Sequence, residues 1–332
     1  MLPKIVITHK VHDEILTKLA PYARVSVNES DDTWAHDRLL AELSDATAMM
    51  AFMPDRIDAT VLSHAPSLRL VACALKGFDN FDVAACTTRG VHVSIVSDLL
   101  TDPTAELTIG LMIGLGRHIL PGDEAVRIGY KGWRPRFYGV GLKGAAVGIL
   151  GMGAIGKSIA ERLTGFGTQV SYWDRRELGS DDEERLKVTF TDFERLLSTS
   201  DFVVCALPLA NDTQHLLGAL EVAKMRKGTL LINPSRGSVV DEGAVVAALE
   251  AGHLAGYAAD VYEMEDWARP DRPEAVHPGL VQRRTDTLLT PHIGSAVTKT
   301  RLAIEHEAAD NIIDLLEGRR PRAAINEPAS VL

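Results

Sequence analysis

The chain has 332 residues, more than one average domain holds, so two domains with separate hydrophobic cores are expected. Its net charge of -10 argues against a nucleic-acid partner, because a phosphate backbone is bound by basic surfaces. Hydrophobic content of 46% is ordinary for a globular protein. No apolar run reaches the roughly 18 residues of a membrane span.

The first hundred residues alternate between short apolar strands and helical stretches. The apolar run in MLPKIVITHK is too short for a signal peptide and predicts the first strand. The predicted strands are residues 4–9, 23–27, 48–52, 68–75 and 91–96. Apolar strands separated by helices are typical of a parallel sheet covered on both faces. Residues 1–100 therefore predict a doubly wound, flavodoxin-like unit.

A long apolar helix begins near Pro103, whose missing N–H costs nothing in the first turn of a helix. Its sequence, TAELTIGLMIGLGRHI, is apolar over a wider surface than one neighbouring face needs. The helix is therefore expected to be an interdomain spine, a contact in a homodimer, or both. The segment WRPRFYGVGLKG that follows predicts an irregular connection to a second α/β series.

The second series predicts a Rossmann-like domain over residues 101–295. Its predicted strands are residues 146–150, 169–174, 201–208, 228–233, 256–262 and 287–292. A last helix over residues 296–318 has an apolar stripe at helical spacing and is expected to return to the first domain. The chain would then consist of one domain over residues 1–100 plus 296–332 and a second over residues 101–295, with a cleft between them.

Three cysteines give information about the compartment. Cys73, Cys86 and Cys205 are odd in number, lie among apolar residues and lack the spacing of metal ligands. They predict buried free thiols and no metal site. A reducing cytoplasm is the simplest location for such a chain.

A glycine-rich turn predicts the dinucleotide site. In AVGILGMGAIGKSIAERL, Gly151, Gly153 and Gly156 lie between a strand and a helix, at the spacing that lets backbone approach a pyrophosphate. The free N–H groups at the helix start would meet the phosphates. Asp174, at the end of the next strand, is placed to accept the ribose hydroxyls of NAD.

Two arginines leave the choice of cofactor open. An acid at position 174 repels a 2′-phosphate and favours NAD. Arg175 and Arg176 beside it are suited to gripping that phosphate, which would permit some NADP use. Alternatively, both arginines are solvated on an exposed loop.

Residues typical of acid–base catalysis follow three successive strands of the second domain. Arg236 follows GTLLIN, Asp260 and Glu265 follow GYAA, and His292 follows TLL. Ligands bind at this edge of open α/β sheets. An imidazole can exchange a proton near neutral pH, a carboxylate can orient it, and an arginine can hold an oxyanion with two donors.

These motifs, in this order over essentially the whole chain, resemble the D-isomer-specific 2-hydroxyacid dehydrogenase family. The motifs are GFDNFD, GMGAIG, LPL, NPSRGSVVDE, AADVYEMED and TPHIGSA. The resemblance implies that Arg236 clamps the substrate anion and that His292, paired with Glu265, exchanges a proton. It also implies further cofactor contacts from Lys76, Ala154, Ile155, Arg175, Leu207, Pro208, Pro234, Ser235, Arg236, Asp260, His292 and Gly294.

Other segments resemble the phosphite dehydrogenase branch of that family. They are MAFMPDRID, ALKGFDNFD, the YGVGL motif and EMEDWARPDRP, which directly follows the catalytic acid. The resemblance implies oxidation of phosphite, a small anion, with NAD. Residues 1–100 plus 296–332 would form the substrate-binding domain and residues 101–295 the NAD-binding domain. His292 would activate water, either alone or with direct help from Arg236. The implied substrate contacts are Lys76, Gly77, Met53, Arg236, Trp133, Tyr138 and Ser295.

Several of these residues have structural alternatives. Met53 is also read as a core methionine, Trp133 and Tyr138 as packing within the linker, and Ser295 as a cap of the last helix. Two other functions also stay open. One is an ordinary 2-hydroxyacid dehydrogenase acting on glyoxylate or hydroxypyruvate, and the other is a nucleotide-sensing binding protein of the corepressor type.

Overall fold

The computed structural model describes residues 2–132 and 136–328, which divide into two compact units. Unit 1 comprises Met1–Leu100, Trp267–Pro270 and Ala296–Leu332, and unit 2 comprises Thr101–Asp266 and Asp271–Ser295. Residues 267–270 of the long proline-rich loop are thus grouped with unit 1, whereas the sequence analysis assigned that whole loop to the second domain.

Unit 1 is built on a sheet of five parallel strands in the order β2-β1-β3-β4-β5. The strands are β1 (Lys4–Ile7), β2 (Arg24–Val27), β3 (Ala48–Ala51), β4 (Leu70–Cys73) and β5 (His92–Ser94). The helices are α1 (Asp13–Leu19), α2 (His36–Leu43), α3 (Ala59–His64), α4 (Val83–Thr88) and α13 (Thr298–Leu316), with a 3₁₀ turn at Asp98–Leu100. This strand order is that of flavodoxin-like sheets.

Alternating side chains of the unit 1 strands form one core on each face of the sheet. Ile5 and Ile7 join the core that includes α13, whereas Val6 joins the opposite core. On α13, Ile304 and Ile312 are buried within the same core as Ile5. The helix begins at Thr298, two residues later than the apolar stripe predicts.

Unit 2 is built on seven parallel strands in the order β12-β11-β10-β9-β6-β7-β8. The strands are β6 (Ala146–Leu150), β7 (Gln169–Trp173), β8 (Val188–Phe190), β9 (Phe202–Cys205), β10 (Leu230–Asn233), β11 (Gly256–Ala259) and β12 (Thr287–Leu289). The two sheets confirm the predicted α/β class with two parallel-sheet, Rossmann-like units. Strand β8 was not predicted from the sequence; it is a three-residue edge strand in which only Val188 is buried.

Helices cover both faces of the unit 2 sheet. They are α5 (Thr101–Gly116), α6 (Ile119–Arg127), α7 (Ala154–Leu163), α8 (Ser180–Leu186), α9 (Phe193–Thr199), α10 (Ala219–Lys224), α11 (Glu242–Glu250) and α12 (Pro278–Val281). Short 3₁₀ turns lie at Thr164–Phe166, Gly237–Val239 and Glu263–Glu265.

The apolar helix α5 has its packing partners within unit 2. It packs against α7, β10, β11 and β12, and its side chains Leu111, Met112 and Leu115 are buried there. Its wide apolar surface is therefore explained without a second copy, so this helix alone does not support the expected dimer contact.

Two further expectations concern buried free thiols and membrane spans. Cys73, Cys86 and Cys205 are buried and free, as predicted, and burial raises the pKa of each thiol. Among residues 2–132 and 136–328, no helix is long and apolar enough to cross a membrane.

Candidate active site

The glycine-rich turn lies between β6 and α7, at the point where the strand order of unit 2 reverses. Gly151 has a φ of +95°, and a β-carbon there would lie 2.5 Å from the Ala206 carbonyl oxygen. A β-carbon on Gly156 would lie 2.1 Å from the Gly151 carbonyl oxygen, so strand and helix can approach this closely only with glycine. Both glycines thus fit the roles that the sequence predicts for them.

Gly153 leaves the start of α7 open. It is the N-cap residue, no side chain caps the helix there, and a β-carbon on it would meet open space. The exposed Ala154 and half-buried Ile155 form the first turn behind it. Free N–H groups and the positive end of the helix dipole are therefore available to an anion, so this cradle fits the pyrophosphate of a dinucleotide.

Asp174 joins the end of β7 to the glycine-rich turn. Its Oδ2 accepts the Met152 N–H at 2.7 Å, and its Oδ1 accepts the Arg176 N–H at 3.4 Å. The side chain of Arg175 is exposed, and its Nη1 lies 3.4 Å from Asp212 Oδ2. The carboxylate is therefore held beside the turn where the ribose of a bound dinucleotide is expected, while the two arginines lie on the surface.

The loop after β9 faces the same turn. The half-buried Leu207 has its Cδ2 atom 3.0 Å from the position that a Gly151 β-carbon would take. Pro208 is exposed, and its carbonyl accepts the Thr213 hydroxyl at 2.7 Å. Leu207 therefore lies beside the glycine cradle, and Pro208 is the next residue of the same loop.

Asn233, the last residue of β10, shapes the loop that carries Arg236. Its Oδ1 accepts the N–H and the hydroxyl of Ser235 at 3.1 and 2.8 Å, and its Nδ2 donates to the Arg236 carbonyl at 2.9 Å. Pro234 is buried, and Arg236 is half-buried with Nη1 donating to the Ser235 carbonyl at 2.9 Å. The next residue, Gly237, lies against the Tyr262 backbone too closely for any β-carbon.

Asp260 stabilises the turn after β12 by accepting hydrogen bonds from it. Its carboxylate is buried and accepts the Thr290 hydroxyl at 2.6 Å and the N–H groups of Ile293 and Gly294 at 2.8 and 2.7 Å. The backbone carbonyl of Asp260 also accepts the backbone N–H of His292 at 2.8 Å. These bonds hold His292 in the left-handed region, at a φ of +54°. The structure therefore gives Asp260, predicted as a cofactor contact, the role of ordering the His292 turn.

His292 and Glu265 form the predicted pair. Nδ1 of His292 lies 2.6 Å from Oε2 of Glu265, and 27% of the His292 side chain is exposed. With Nδ1 turned toward the carboxylate, Nε2 is the ring nitrogen left for a substrate. The carboxylate fixes the orientation of the ring, which suits the pair to proton exchange.

The predicted substrate residues of unit 1 follow two neighbouring strands. Met53 follows β3, and Lys76 and Gly77 follow β4; all three are half-buried. Lys76 Nζ lies 2.8 Å from Asp98 Oδ1, and 41% of the Lys76 side chain and 66% of the Asp98 side chain are exposed. Such a surface pair contributes little to stability, so an anion can compete for the lysine. Met53 has intermediate burial and is not among the buried core residues, which does not support the alternative of a core methionine.

The remaining predicted residues have different outcomes. Trp133 lies outside the described residues. Tyr138 is 83% exposed, so the alternative that it packs within the linker is wrong. Ser295 is half-buried and does not cap α13, because that helix begins at Thr298 with Val297 as its N-cap.

Arg301 on α13 is a candidate anion-binding residue that the sequence analysis missed. Its guanidinium lies 5.8 Å from the centre of the Phe52 ring, and it forms no ion pair with the described residues. Burial lowers the pKa of Arg301, and the pKa of His9 is lowered by burial and by the Arg301 charge. An arginine at helical spacing on an amphipathic helix carries no sequence signal, so only its burial identifies it.

Comparisons with known proteins find relatives of this chain along nearly its whole length. A family model described as D-isomer specific 2-hydroxyacid dehydrogenase, NAD binding domain, matches residues 109–294. A glyoxylate reductase from Thermofilum pendens is 36% identical over 98% of this chain and 95% of its own length. A crystal structure of a Thermus thermophilus protein is 32% identical, with a TM-score of 0.87, over 97% of this chain and all of the other.

A further relative bears on the cofactor. The NADPH-dependent glyoxylate/hydroxypyruvate reductase of Sinorhizobium meliloti, solved with NADP and malonate, is 26% identical with a TM-score of 0.82. That likeness covers 98% of this chain and 97% of the other. The predicted NAD-binding domain is confirmed, and a relative uses NADP. The chain belongs to the D-isomer specific 2-hydroxyacid dehydrogenase family, whose NAD-binding domain it contains at residues 109–294.

Proposed function

We propose that this chain reduces a small 2-keto acid, of the size of glyoxylate or hydroxypyruvate, to the corresponding 2-hydroxyacid with NADH. The observation that carries the proposal is the 2.6 Å contact between His292 Nδ1 and Glu265 Oε2, which presents the other ring nitrogen for proton exchange. It is supported by relatives named glyoxylate reductase that match the chain along nearly its whole length.

Three residues of this chain have separate roles in the proposed reaction. The bound dinucleotide supplies the hydride for the carbonyl carbon. Arg236 binds the substrate carboxylate with two parallel donors, which fixes the keto group in one orientation. His292 Nε2 gives a proton to the carbonyl oxygen, while Glu265 holds the ring in the required tautomer. A 2-keto acid, a hydride and a proton thus become a 2-hydroxyacid.

Phosphite oxidation is the second candidate, supported by Lys76 and by the resemblance of EMEDWARPDRP and MAFMPDRID to that branch. In this reaction the P–H bond breaks, the hydride leaves for the nicotinamide, and water supplies the new oxygen, so phosphite becomes phosphate. His292 would then take the proton from water. Lys76, exposed beside Asp98, would add a second cation for a compact anion.

One spectrophotometric comparison separates the two. NADH oxidation with glyoxylate or hydroxypyruvate, and no NADH formation with phosphite, is the expected result. NADH formation with phosphite alone would overturn it in favour of the second candidate. Lys76→Ala then serves as a check, because it should impair phosphite oxidation more than keto acid reduction. Absence of both activities, with NADH still bound, would favour a nucleotide-sensing binding protein.

We extend the proposal to the location and assembly of the chain: a reducing cytoplasm and a homodimer. The three buried free cysteines suit a reducing compartment. Apolar side chains that are at least half exposed occur along residues 119–140, namely Ile119, Leu120, Val126, Ile128, Tyr130 and Tyr138. Monomers rarely expose so many together. In sedimentation experiments, Ile128→Asp should yield monomers and the isolated, exposed Leu220→Asp should not. A wild-type monomer would overturn the extension.

A further inference from the structure

Two buried glutamates, Glu242 at the start of α11 and Glu263 in the turn after β11, bind each other's backbone. The Glu242 N–H donates to Glu263 Oε1 at 3.0 Å, and the Glu263 N–H donates to Glu242 Oε1 at 3.0 Å. The second oxygen of Glu242 accepts the His277 N–H at 2.9 Å. Burial raises the pKa of Glu242, and the amides of Glu263 and His277 oppose that rise. The pair therefore fastens the loop after β10 to the loop after β11.

His215 links the loop after β9 to this pair of glutamates. The ring nitrogen Nε2 of His215 lies 2.8 Å from Glu263 Oε2, and the backbone N–H of His215 donates to the Ser238 carbonyl at 2.6 Å. Leu217 donates its N–H to the Val239 carbonyl at 3.1 Å in the same stretch. The backbone of His215 is held in the left-handed region at a φ of +49°, which is unfavourable for a histidine and must be compensated by such contacts.

The three loops joined in this way carry the proposed cofactor and substrate groups. The β9 loop carries Leu207, the β10 loop carries Arg236, and the β11 loop carries Glu265, two residues beyond Glu263 on the same 3₁₀ turn. Asp266 adds a further link, since its Oδ2 accepts the Ser238 N–H at 2.8 Å. A shift of Glu263 would therefore move Glu265 relative to both His292 and Arg236.

We propose that Glu263 is a positioning residue, which acts with His215 and Glu242 to fix the Glu265–His292 pair against the Arg236 loop. Its kinetic consequence rests on the proposed function, because misplacing the pair by a fraction of an ångström weakens proton transfer and anion binding together. Its structural consequence, the geometry of the bond between His292 and Glu265, does not depend on which substrate is used.

The test uses the full-length chain with NADH bound and two variants. Glu263→Gln keeps the side-chain volume, but its NH2 group cannot accept from His215 while its oxygen accepts the Glu242 N–H. His215→Asn is too short to reach Glu263 and tolerates the left-handed backbone. The first readout is the downfield NMR resonance of the His292 Nδ1 proton, identified by its absence in His292→Asn. The second is kcat and KM with glyoxylate.

Glu183→Gln is the matched control. Glu183 is a half-buried carboxylate of unit 2 that accepts the Tyr172 hydroxyl at 2.8 Å and the Phe190 N–H at 3.1 Å, but it lies on α8, outside the three loops. We expect both variants to shift or abolish the resonance and to lower kcat at least about tenfold, while the control changes neither. A wild-type resonance and kcat in either folded variant would overturn the proposal. If the wild-type protein reduces neither glyoxylate nor hydroxypyruvate, the proposed function fails and the resonance still decides this inference.

Discussion

A β-carbon on Gly237 would lie 1.9 Å from the carbonyl carbon of Tyr262 and 2.2 Å from the amide nitrogen of Glu263. Backbone therefore packs on backbone where the loop of Arg236 meets the loop of Glu265. Since neither obstacle is the end of a flexible side chain, no residue other than glycine fits without separating the two loops.

Gly237→Ala is therefore expected to destabilise the protein by about 2 kcal/mol or more and to lower kcat, because the loops of Arg236 and Glu265 must move apart. Urea unfolding and steady-state kinetics measure the two effects. Gly179→Ala is the control, since a β-carbon on Gly179 would meet open space. Equal behaviour of the two alanine variants would show that the loops adjust freely.

Removing the imidazole tests the proton-transfer pair. His292→Asn should lower kcat at least about a hundredfold, the usual scale of general acid–base catalysis, with little change in NADH affinity. Glu265→Gln should have a smaller effect, because a glutamine oxygen can still accept from Nδ1. The two changes combined should cost less than the sum of their separate free energies, since both act on one proton.

The control for this pair is His253→Asn, a histidine of unit 2 whose Nε2 lies 3.1 Å from the Val222 carbonyl, away from the candidate site. Its kinetics should match the wild type. If His292→Asn retained a kcat near that of the His253 variant, the assignment of the proton donor would be wrong.

Local signals in the sequence account for most of what could be predicted. The glycine-rich turn needs only neighbouring residues to define it, and Gly151 and Gly156 take up the close approaches expected of them. The pairing of Glu265 with His292 was predicted because parallel strands end at one edge and because the motifs resemble the family. Strand β8 was missed because three residues are too few to form a periodic pattern.

The remaining features depend on contacts between distant segments, which spacing does not reveal. The bond between His215 and Glu263 joins residues 48 positions apart, and each looks like an ordinary loop residue in the sequence. Arg301 is distinguished only by its burial without an ion pair to another residue that the structure describes. Asp260 was predicted as a cofactor contact, yet its carboxylate is occupied by the backbone of the His292 turn.

The two exposed arginines beside Asp174 test cofactor choice. Replacing Arg175 and Arg176 by alanine should lower kcat/KM with NADPH about tenfold more than with NADH, because a 2′-phosphate would lose charged donors. Arg185→Ala is the control, as this exposed arginine pairs with Asp182 on α8. Equal losses with both cofactors would favour the solvated-loop interpretation.

A buried carboxyl group at the carboxyl edge of the unit 1 sheet introduces a pH dependence. Oδ2 of Asp55 accepts the Thr8 hydroxyl at 2.5 Å and the Phe52 N–H at 2.7 Å. Burial raises the pKa of Asp55 from 3.8 to about 6, although both hydrogen bonds oppose the rise. The folded chain therefore holds this proton to a higher pH than the unfolded chain does.

The contribution of Asp55 to stability is accordingly complete below its unfolded pKa and is lost as pH rises through about 6. The loss should approach about 3 kcal/mol by neutral pH, from a pKa difference of about two units. Asp55→Asn keeps an acceptor but cannot titrate, so it should gain stability relative to the wild type as pH rises. Urea unfolding of both proteins at about pH 5 and about pH 8 measures roughly half of this difference, because the unfolded carboxyl group is already mostly ionised at about pH 5. Parallel pH dependences would mean that Asp55 titrates in the folded protein as it does in the unfolded chain.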